Sequence, residues 1–111
     1  MVEKCDLATM ECTPCRGGVE PLHTEEISAY LNLLGGGWQV HEERYLEKEF
    51  RFPDFQRPLS FVNRIGALAE QQGHHPDILL AWGRVRVQLW THKINGLHEN
   101  DFILAGKIDA L

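Results

Sequence analysis

The 111-residue sequence has no apolar run longer than the five residues Ile78-Leu79-Leu80-Ala81-Trp82, against the roughly 20 needed to cross a membrane as a helix. Its opening residues, Met1-Val2-Glu3-Lys4-Cys5-Asp6, lack the apolar stretch of a secretory signal. A cytoplasmic protein without membrane attachment is therefore expected. Positive charge is also in short supply: 11 Lys and Arg against 16 Asp and Glu leave a net charge of -5. A protein that binds nucleic acid directly normally carries a basic face that displaces phosphate counterions, so the charge balance argues against that class. Cysteine is scarce, and all three residues, Cys5, Cys12 and Cys15, fall near the start. An odd number without a leader argues against a disulfide framework and for reduced thiols. There is no internal repeat and no low-complexity tract.

What is present is enough for one core. Apolar residues make up 43% of the chain, and a domain of this size buries about two-thirds of its unfolded surface without needing metal or disulfides. Cys12-Thr13-Pro14-Cys15 has the spacing of half a zinc site or of a redox pair. A closed zinc site needs four ligands and no second Cys-x-x-Cys exists. A redox pair belongs where a strand meets a helix, whereas Pro14, Gly17 and Gly18 make this stretch a loop. No metal site is assigned. A small zinc protein using Cys12, Cys15 and a histidine stays open as a competing class, and the role of the cysteines is left undecided.

Residues 1–23, punctuated by Pro14, Gly17, Gly18 and Pro21, read as an irregular arm ahead of a single domain over 24–111. Thr24 as N-cap, acids at Glu25 and Glu26, and Ile27, Tyr30, Leu31 and Leu34 at helical spacing predict an amphipathic helix that Gly35-Gly36-Gly37 stops. A short strand over 38–41 and an alternating one over 45–52 suit a hairpin around Glu42-Glu43-Arg44. Asp54 or Pro58 opens a second helix carrying Phe61, Ile65, Leu68 and Ala69 on one face, closed by Gly73. The run 78–82, a turn at Gly83 and alternation over 84–90 predict a second hairpin, with Val85, Val87 and Leu89 on one face. Asn95-Gly96 marks a turn and a last helix runs over about 99–110. The order α-β-β-α-β-β-α predicts an α+β two-layer sandwich: a four-stranded antiparallel sheet with its helices packed on one face.

Six histidines are the chemistry-bearing feature. His23, His41 and His98 are scattered and read as surface or cap residues. His74 and His75 follow the second helix, and Glu70 and His74 are spaced to meet on one helical face. Pro76 forces His75 into an extended backbone, so the two imidazoles need not point the same way. His92 continues the parity of Arg84, Arg86, Gln88 and Trp90 at a strand end, where it can overhang a pocket. Asp101 falls in the first turn of the last helix, as a helix-dipole acid or as the carboxylate that orients a histidine.

Glu70, His74-His75-Pro76, Trp82, His92 and Asp101, at these spacings, resemble the pterin-4a-carbinolamine dehydratases (4a-hydroxytetrahydrobiopterin dehydratases). The resemblance extends to Gly37-Trp38, Phe50-Arg51-Phe52-Pro53-Asp54-Phe55, Arg57, Phe61, Arg64, Thr91-His92 and Gly96-Leu97, and covers roughly residues 24–110. The Cys-Thr-Pro-Cys arm resembles the N-terminal extension of bacterial members. The resemblance implies a lyase that removes water from a 4a-hydroxytetrahydropterin to give quinonoid dihydropterin, recycling the pterin of aromatic amino acid hydroxylases. Pterin is the substrate, and neither metal nor organic cofactor is implied. Imidazole ordinarily titrates near pH 6.5, which suits it to giving and taking protons near neutrality; such catalysis is worth about 10²–10⁴-fold.

By the same resemblance, His74 and His92 are the acid/base pair and His75, the third catalytic histidine, binds and positions the pterin. Glu70 and Trp38 line the pocket, and Asp101 completes the substrate-binding set by holding His92. Three departures from the family pattern bear on the pterin taken. Gly73 stands where a polar residue is common, Trp90 replaces a small residue beside Thr91-His92, and His98 replaces a Ser or Thr helix cap, a loss worth about 0.5–2 kcal/mol. A homodimer or homotetramer is implied, and an exposed sheet edge favours pairing. The competing function is a pterin-binding or dimerisation module without turnover, in cofactor metabolism or in transcription, since animal members also serve as dimerisation cofactors for a homeodomain transcription factor.

Overall fold

The computed structural model describes residues 7–13 and 19–111. Four strands, β1 (Gln39–His41), β2 (Tyr45–Arg51), β3 (Asp77–Ala81) and β4 (Arg84–Leu89), form one sheet. Its order is β1-β2-β4-β3, with every neighbouring pair antiparallel. Three helices, α1 (Thr24–Leu31), α2 (Gln56–Gln72) and α3 (Glu99–Asp109), complete the α+β fold. The alternation in β4 is realised residue by residue: Val85, Val87 and Leu89 are buried, and Arg84, Arg86 and Gln88 are only partly so. Phe61, Ile65 and Ala69 of α2 join the same core as Val85, Val87, Leu89 and the buried Leu46 of β2. The other face of the sheet carries Arg84, Arg86, Gln88 and Glu47, with Leu79 and Tyr45 among them.

The termini of the helices decide where the site residues stand. α1 is capped by His23, not Thr24: the His23 backbone N–H donates to the Glu26 carboxylate at 3.1 Å, the acid three residues on that this device needs. α1 also stops at Leu31, because Leu33 and Leu34 donate to the carbonyls of Tyr30 and Leu31 in a tightened last turn. Ahead of α2, Asp54 accepts from the Arg57 N–H at 3.0 Å, and Pro58 occupies the first turn, where its missing N–H is no loss. Gly73 ends α2 in the left-handed conformation at φ +65°. The next amide, His74 N–H, bonds back to the Ala69 carbonyl at 3.2 Å, a closure that glycine permits at no steric cost. His74 is thereby delivered directly off the end of α2.

α3 is buried on nearly every side, from Asn100 to Ala105 and again at Ile108. Its C-terminal end is tied to the sheet by Asp109, which accepts from Lys48 Nζ at 2.7 Å and from Trp38 Nε1 at 2.9 Å. Its outer side is covered by residues 7–13. Leu7–Thr9 forms a 3-10 turn with Leu7 buried, and a Cβ placed on Gly106 would lie 2.8 Å from Leu7 Cβ. Lys107 Nζ donates to the Ala8 carbonyl. Cys12 and Thr13 donate backbone N–H groups to the side chains of Gln72 and Asn100, both at 2.9 Å. This part of the arm is therefore ordered packing, where irregular chain is expected from its prolines and glycines. Burial pushes the Cys12 thiol up to about 11 from 9.0. Cys5 and Cys15 lie outside the described residues.

Candidate active site

His74, His75 and His92 line one cavity of about 370 Å³, together with Gly73, Trp90, Thr91 and Lys93. Two loops create it. One is the Gly73-to-Pro76 link between α2 and β3. The other follows β4, where Thr91 and Gly96 pair across a closed loop, with Thr91 N–H to the Gly96 carbonyl at 2.9 Å. Inside that loop a 3-10 turn, His92–Ile94, projects His92, and Asn95 turns the chain back at φ +50°. The His92 ring lies 4.5 Å from the Trp90 ring.

The two adjacent histidines take separate carboxylates. His74 Nε2 lies 2.6 Å from Asp101 Oδ1, with the His74 side chain 11% exposed and Asp101 fully buried. The second oxygen of Asp101 accepts from Thr91 Oγ1 at 2.9 Å and from the His98 backbone N–H at 2.9 Å. One carboxylate at the start of α3 thus joins the end of α2, the end of β4 and its own helix. His75 Nε2 pairs instead with Glu70 Oε2, and both side chains are largely in solvent, 60% and 79% exposed.

Several sequence-derived assignments need correcting. Asp101 holds His74, not His92, and it is enclosed by protein. The reason is topological: α2 ends against the first turn of α3, and Thr91, not His92, has the parity that turns inward. Glu70 meets His75, not His74, because the left-handed Gly73 redirects the chain after the last helical turn. Trp38 does not line the cavity. It is 6% exposed, edge-on to Phe50, and bonded to Asp109, eight residues along α3 from Asp101 and so about 12 Å away. Trp82 stands exposed beside the β3–β4 turn and does not line the cavity either. The cavity is open to solvent, since His75 and His92 are both exposed.

His98 also departs from expectation, in the favourable direction. Its Nδ1 accepts from the Asn100 N–H at 3.1 Å, so it caps α3 as a Ser or Thr would, while its own N–H goes to Asp101. Thr91 is the residue whose role the sequence hid: an inward threonine one position before a histidine looks like the last residue of a strand until Asp101 is placed behind it. Among the described residues, no group of three or more His, Cys, Asp or Glu side chains is arranged to hold a metal ion, and no helix is long and apolar enough to cross a membrane.

Comparison with known proteins covers nearly the whole chain. The family model described as "Pterin 4 alpha carbinolamine dehydratase" matches residues 20–111. A Rickettsia bellii (strain OSU 85-389) protein named "Putative pterin-4-alpha-carbinolamine dehydratase" is 51% identical over 111 residues, covering 100% of this chain and 98% of its own. One of the same name from Rubrobacter xylanophilus is 51% identical over 106 residues, covering 96% and 98%. Among solved structures, a transcriptional coactivator/pterin dehydratase from Brucella melitensis superposes with a TM-score of 0.76 at 35% identity, over 82% of this chain and 97% of that one. A pterin dehydratase-like protein described as a RuBisCO assembly factor in the alpha-carboxysome gives a TM-score of 0.58 at 25% identity, over 68% and 88%.

Proposed function

This chain belongs to the pterin-4a-carbinolamine dehydratase family, and on that premise we propose that it catalyses the dehydration of a 4a-hydroxytetrahydropterin to the quinonoid dihydropterin through its histidines. The carrying observation is the single cavity shared by His74, His75 and His92, with His74 locked by a buried carboxylate. The step is an elimination without redox change. The C4a–O bond breaks, the leaving oxygen takes a proton and departs as water, and the neighbouring ring N–H loses its proton as the C=N bond forms. One group must take a proton while another gives one.

Asp101 supports a specific division of that work. Its Oδ2 already accepts two donors, and its Oδ1 faces His74 Nε2. A carboxylate in that position favours the tautomer with the proton on Nε2, which leaves His74 Nδ1 as an acceptor for the ring N–H proton. His92, at the mouth of the cavity against Trp90, protonates the leaving hydroxyl. His75, extended before Pro76 and paired with the exposed Glu70 at the surface, positions the pterin. These steps call on the chain's own side chains, and a metal or organic cofactor has no part in the balance. Unpaired edges along β1 and β3 support a homodimer or a dimer of dimers, and the reaction places the protein in the recycling of reduced pterins.

The test is direct. Chemically generated 4a-hydroxytetrahydropterin decays in buffer on its own, and stopped-flow absorbance in the presence of the purified protein is expected to show a decay rate rising in proportion to protein concentration. A rate indistinguishable from buffer, with pterin still bound at equilibrium, would favour the binding-module reading that the coactivator and assembly-factor descriptions of the structural relatives leave in view.

A further inference from the structure

A second cavity, of about 390 Å³, lies on the side of the sheet away from the helices, lined by Arg44, Tyr45, Gln88, Trp90 and Asn95. Trp90 also lines the histidine cavity, so one indole forms a wall of both. Aromatic rings run from one to the other: His92 to Trp90 at 4.5 Å, Trp90 to Tyr45 at 6.2 Å, and Tyr45 to His41 at 4.9 Å. A planar molecule against His92 therefore has a continuous aromatic path along which a substituent can lie.

The far end of that path is built of donors. Arg44 Nη2 bonds Asn95 Oδ1 at 2.7 Å, and no carboxylate among the described residues pairs with this guanidinium. Spending its oxygen on Arg44 leaves Asn95 with its amide N–H groups, beside the remaining guanidinium N–H groups. The nearby acids are engaged by other partners, Glu47 by Gln88 of the cavity wall itself. Glu47 accepts from Gln88 Nε2 at 2.6 Å and lies 3.4 Å from His41 Nε2, while Glu43 accepts from Thr24 Oγ1 at 2.8 Å. The backbone holds this arrangement at a cost: Glu42, Glu43 and Asn95 are all left-handed, at φ 54°, 57° and 50°, a conformation that non-glycine residues adopt uncommonly and that clusters at binding sites. The two turns so formed meet at the Arg44–Asn95 bond.

We infer that this cavity is a subsite for the side chain of the pterin, and that it selects side chains ending in an anion, a phosphate or a carboxylate, over neutral ones. The inference rests on the dehydratase reading for the ring but makes its own claim about the tail. An arginine with free N–H groups beside an amide matches the planar or tetrahedral oxygens of such a group, and the rings carry the carbons between. Trp90 is then a specificity residue, shaping the passage that a small residue would leave open.

The experiment measures kcat/KM for three 4a-hydroxytetrahydropterins that differ only in the tail: dihydroxypropyl, the same tail phosphorylated, and a tail of equal length ending in carboxylate. Because Arg44 is exposed, a charge-assisted contact there is worth about twofold to fivefold. The anionic substrates are expected to exceed the neutral one by that factor, and the preference is expected to shrink as salt is raised. In Arg44→Gln the ratio falls to near one, and Arg44→Lys retains part of it. Equilibrium binding of the matching stable 7,8-dihydropterins, by calorimetry, reads the same preference without turnover. Turnover of the neutral substrate tests the dehydratase reading alone. An equal or lower kcat/KM and affinity for the anionic tails in the wild type would overturn the subsite, as would a preference that survives in Arg44→Gln.

Discussion

His74 and His75 are neighbours in the chain with a carboxylate each, yet they occupy opposite environments. His74 and Asp101 are 11% and 0% exposed, whereas His75 and Glu70 are 60% and 79% exposed. The buried carboxylate has two further donors from Thr91 and His98; Glu70 has water around it. In water a pair of this kind contributes little beyond local orientation, while in the interior every partner must be satisfied and the geometry becomes fixed. The same residue types thus supply one enclosed and one exposed imidazole–carboxylate pair from consecutive positions, and Gly73 and Pro76 on either side are what separate them.

The buried side breaks most severely. Asp101→Ala leaves His74, Thr91 and the His98 N–H without their acceptor, and each buried donor left unmade costs about 1–3 kcal/mol. A loss of about 3 kcal/mol in urea unfolding is expected, together with a fall in dehydration rate, and stability equal to the wild type would show that the carboxylate is not the hub described. Gly106→Ala tests whether the covering residues matter to that side. The added methyl collides with Leu7, and overpacking typically costs about 1–3 kcal/mol, less what alanine returns in helix propensity. Net destabilisation and faster proteolysis before residue 13 are expected; an unchanged melting temperature would mean that the arm contributes nothing.

The exposed side is expected to tolerate change. Glu70→Gln removes the charge beside His75 and is expected to alter unfolding free energy by less than about 1 kcal/mol while raising KM modestly. A collapse in kcat instead would mean that the surface pair, not the buried one, drives the chemistry.

Confined to alkaline pH is the effect at Cys12, which packs beside Asn100 with its Sγ 3.7 Å from the Asn100 carbonyl. Burial, followed in part by Asp101, raises its pKa from 9.0 to about 11, with Lys107 pulling the other way. The folded thiol keeps its proton where the unfolded one has lost it, so the stability it protects is intact below pH 9.0 and is lost as pH rises through about 11. The melting temperature of the wild type is expected to fall more steeply than that of Cys12→Ala across that window. Parallel curves would show that the thiol is not enclosed.

Most of the fold was legible because its strands alternate and its helices are punctuated. β4 reads Val85, Val87 and Leu89 inward without exception, and Gly73 ends α2 at its predicted place. The four-stranded antiparallel sheet with helices on one face follows from that order alone. The histidine cavity was legible as a constellation, since the motif placed His74, His75 and His92 together. What periodicity cannot show is which partner a side chain finds across the fold. Spacing cannot pair Asp101 with His74 because the meeting of α2 with α3 is a long-range packing result, and Trp38, a conspicuous aromatic, has no sequence mark that separates core from cavity. His98 looked like a poor cap because the residue type suggested it, while its Nδ1 performs the task. The docking of residues 7–13 was hidden for a similar reason, since their partners Gln72, Asn100 and Gly106 lie at least sixty positions away.

Stopped-flow dehydration with His74→Ala and His75→Ala side by side separates proton transfer by the His74–Asp101 pair from positioning of the pterin by His75. The expected outcome is a fall in kcat of about a hundredfold or more for His74→Ala, and for His75→Ala mainly a higher KM. Equal losses of kcat in the two variants, or no loss in His74→Ala, would contradict it.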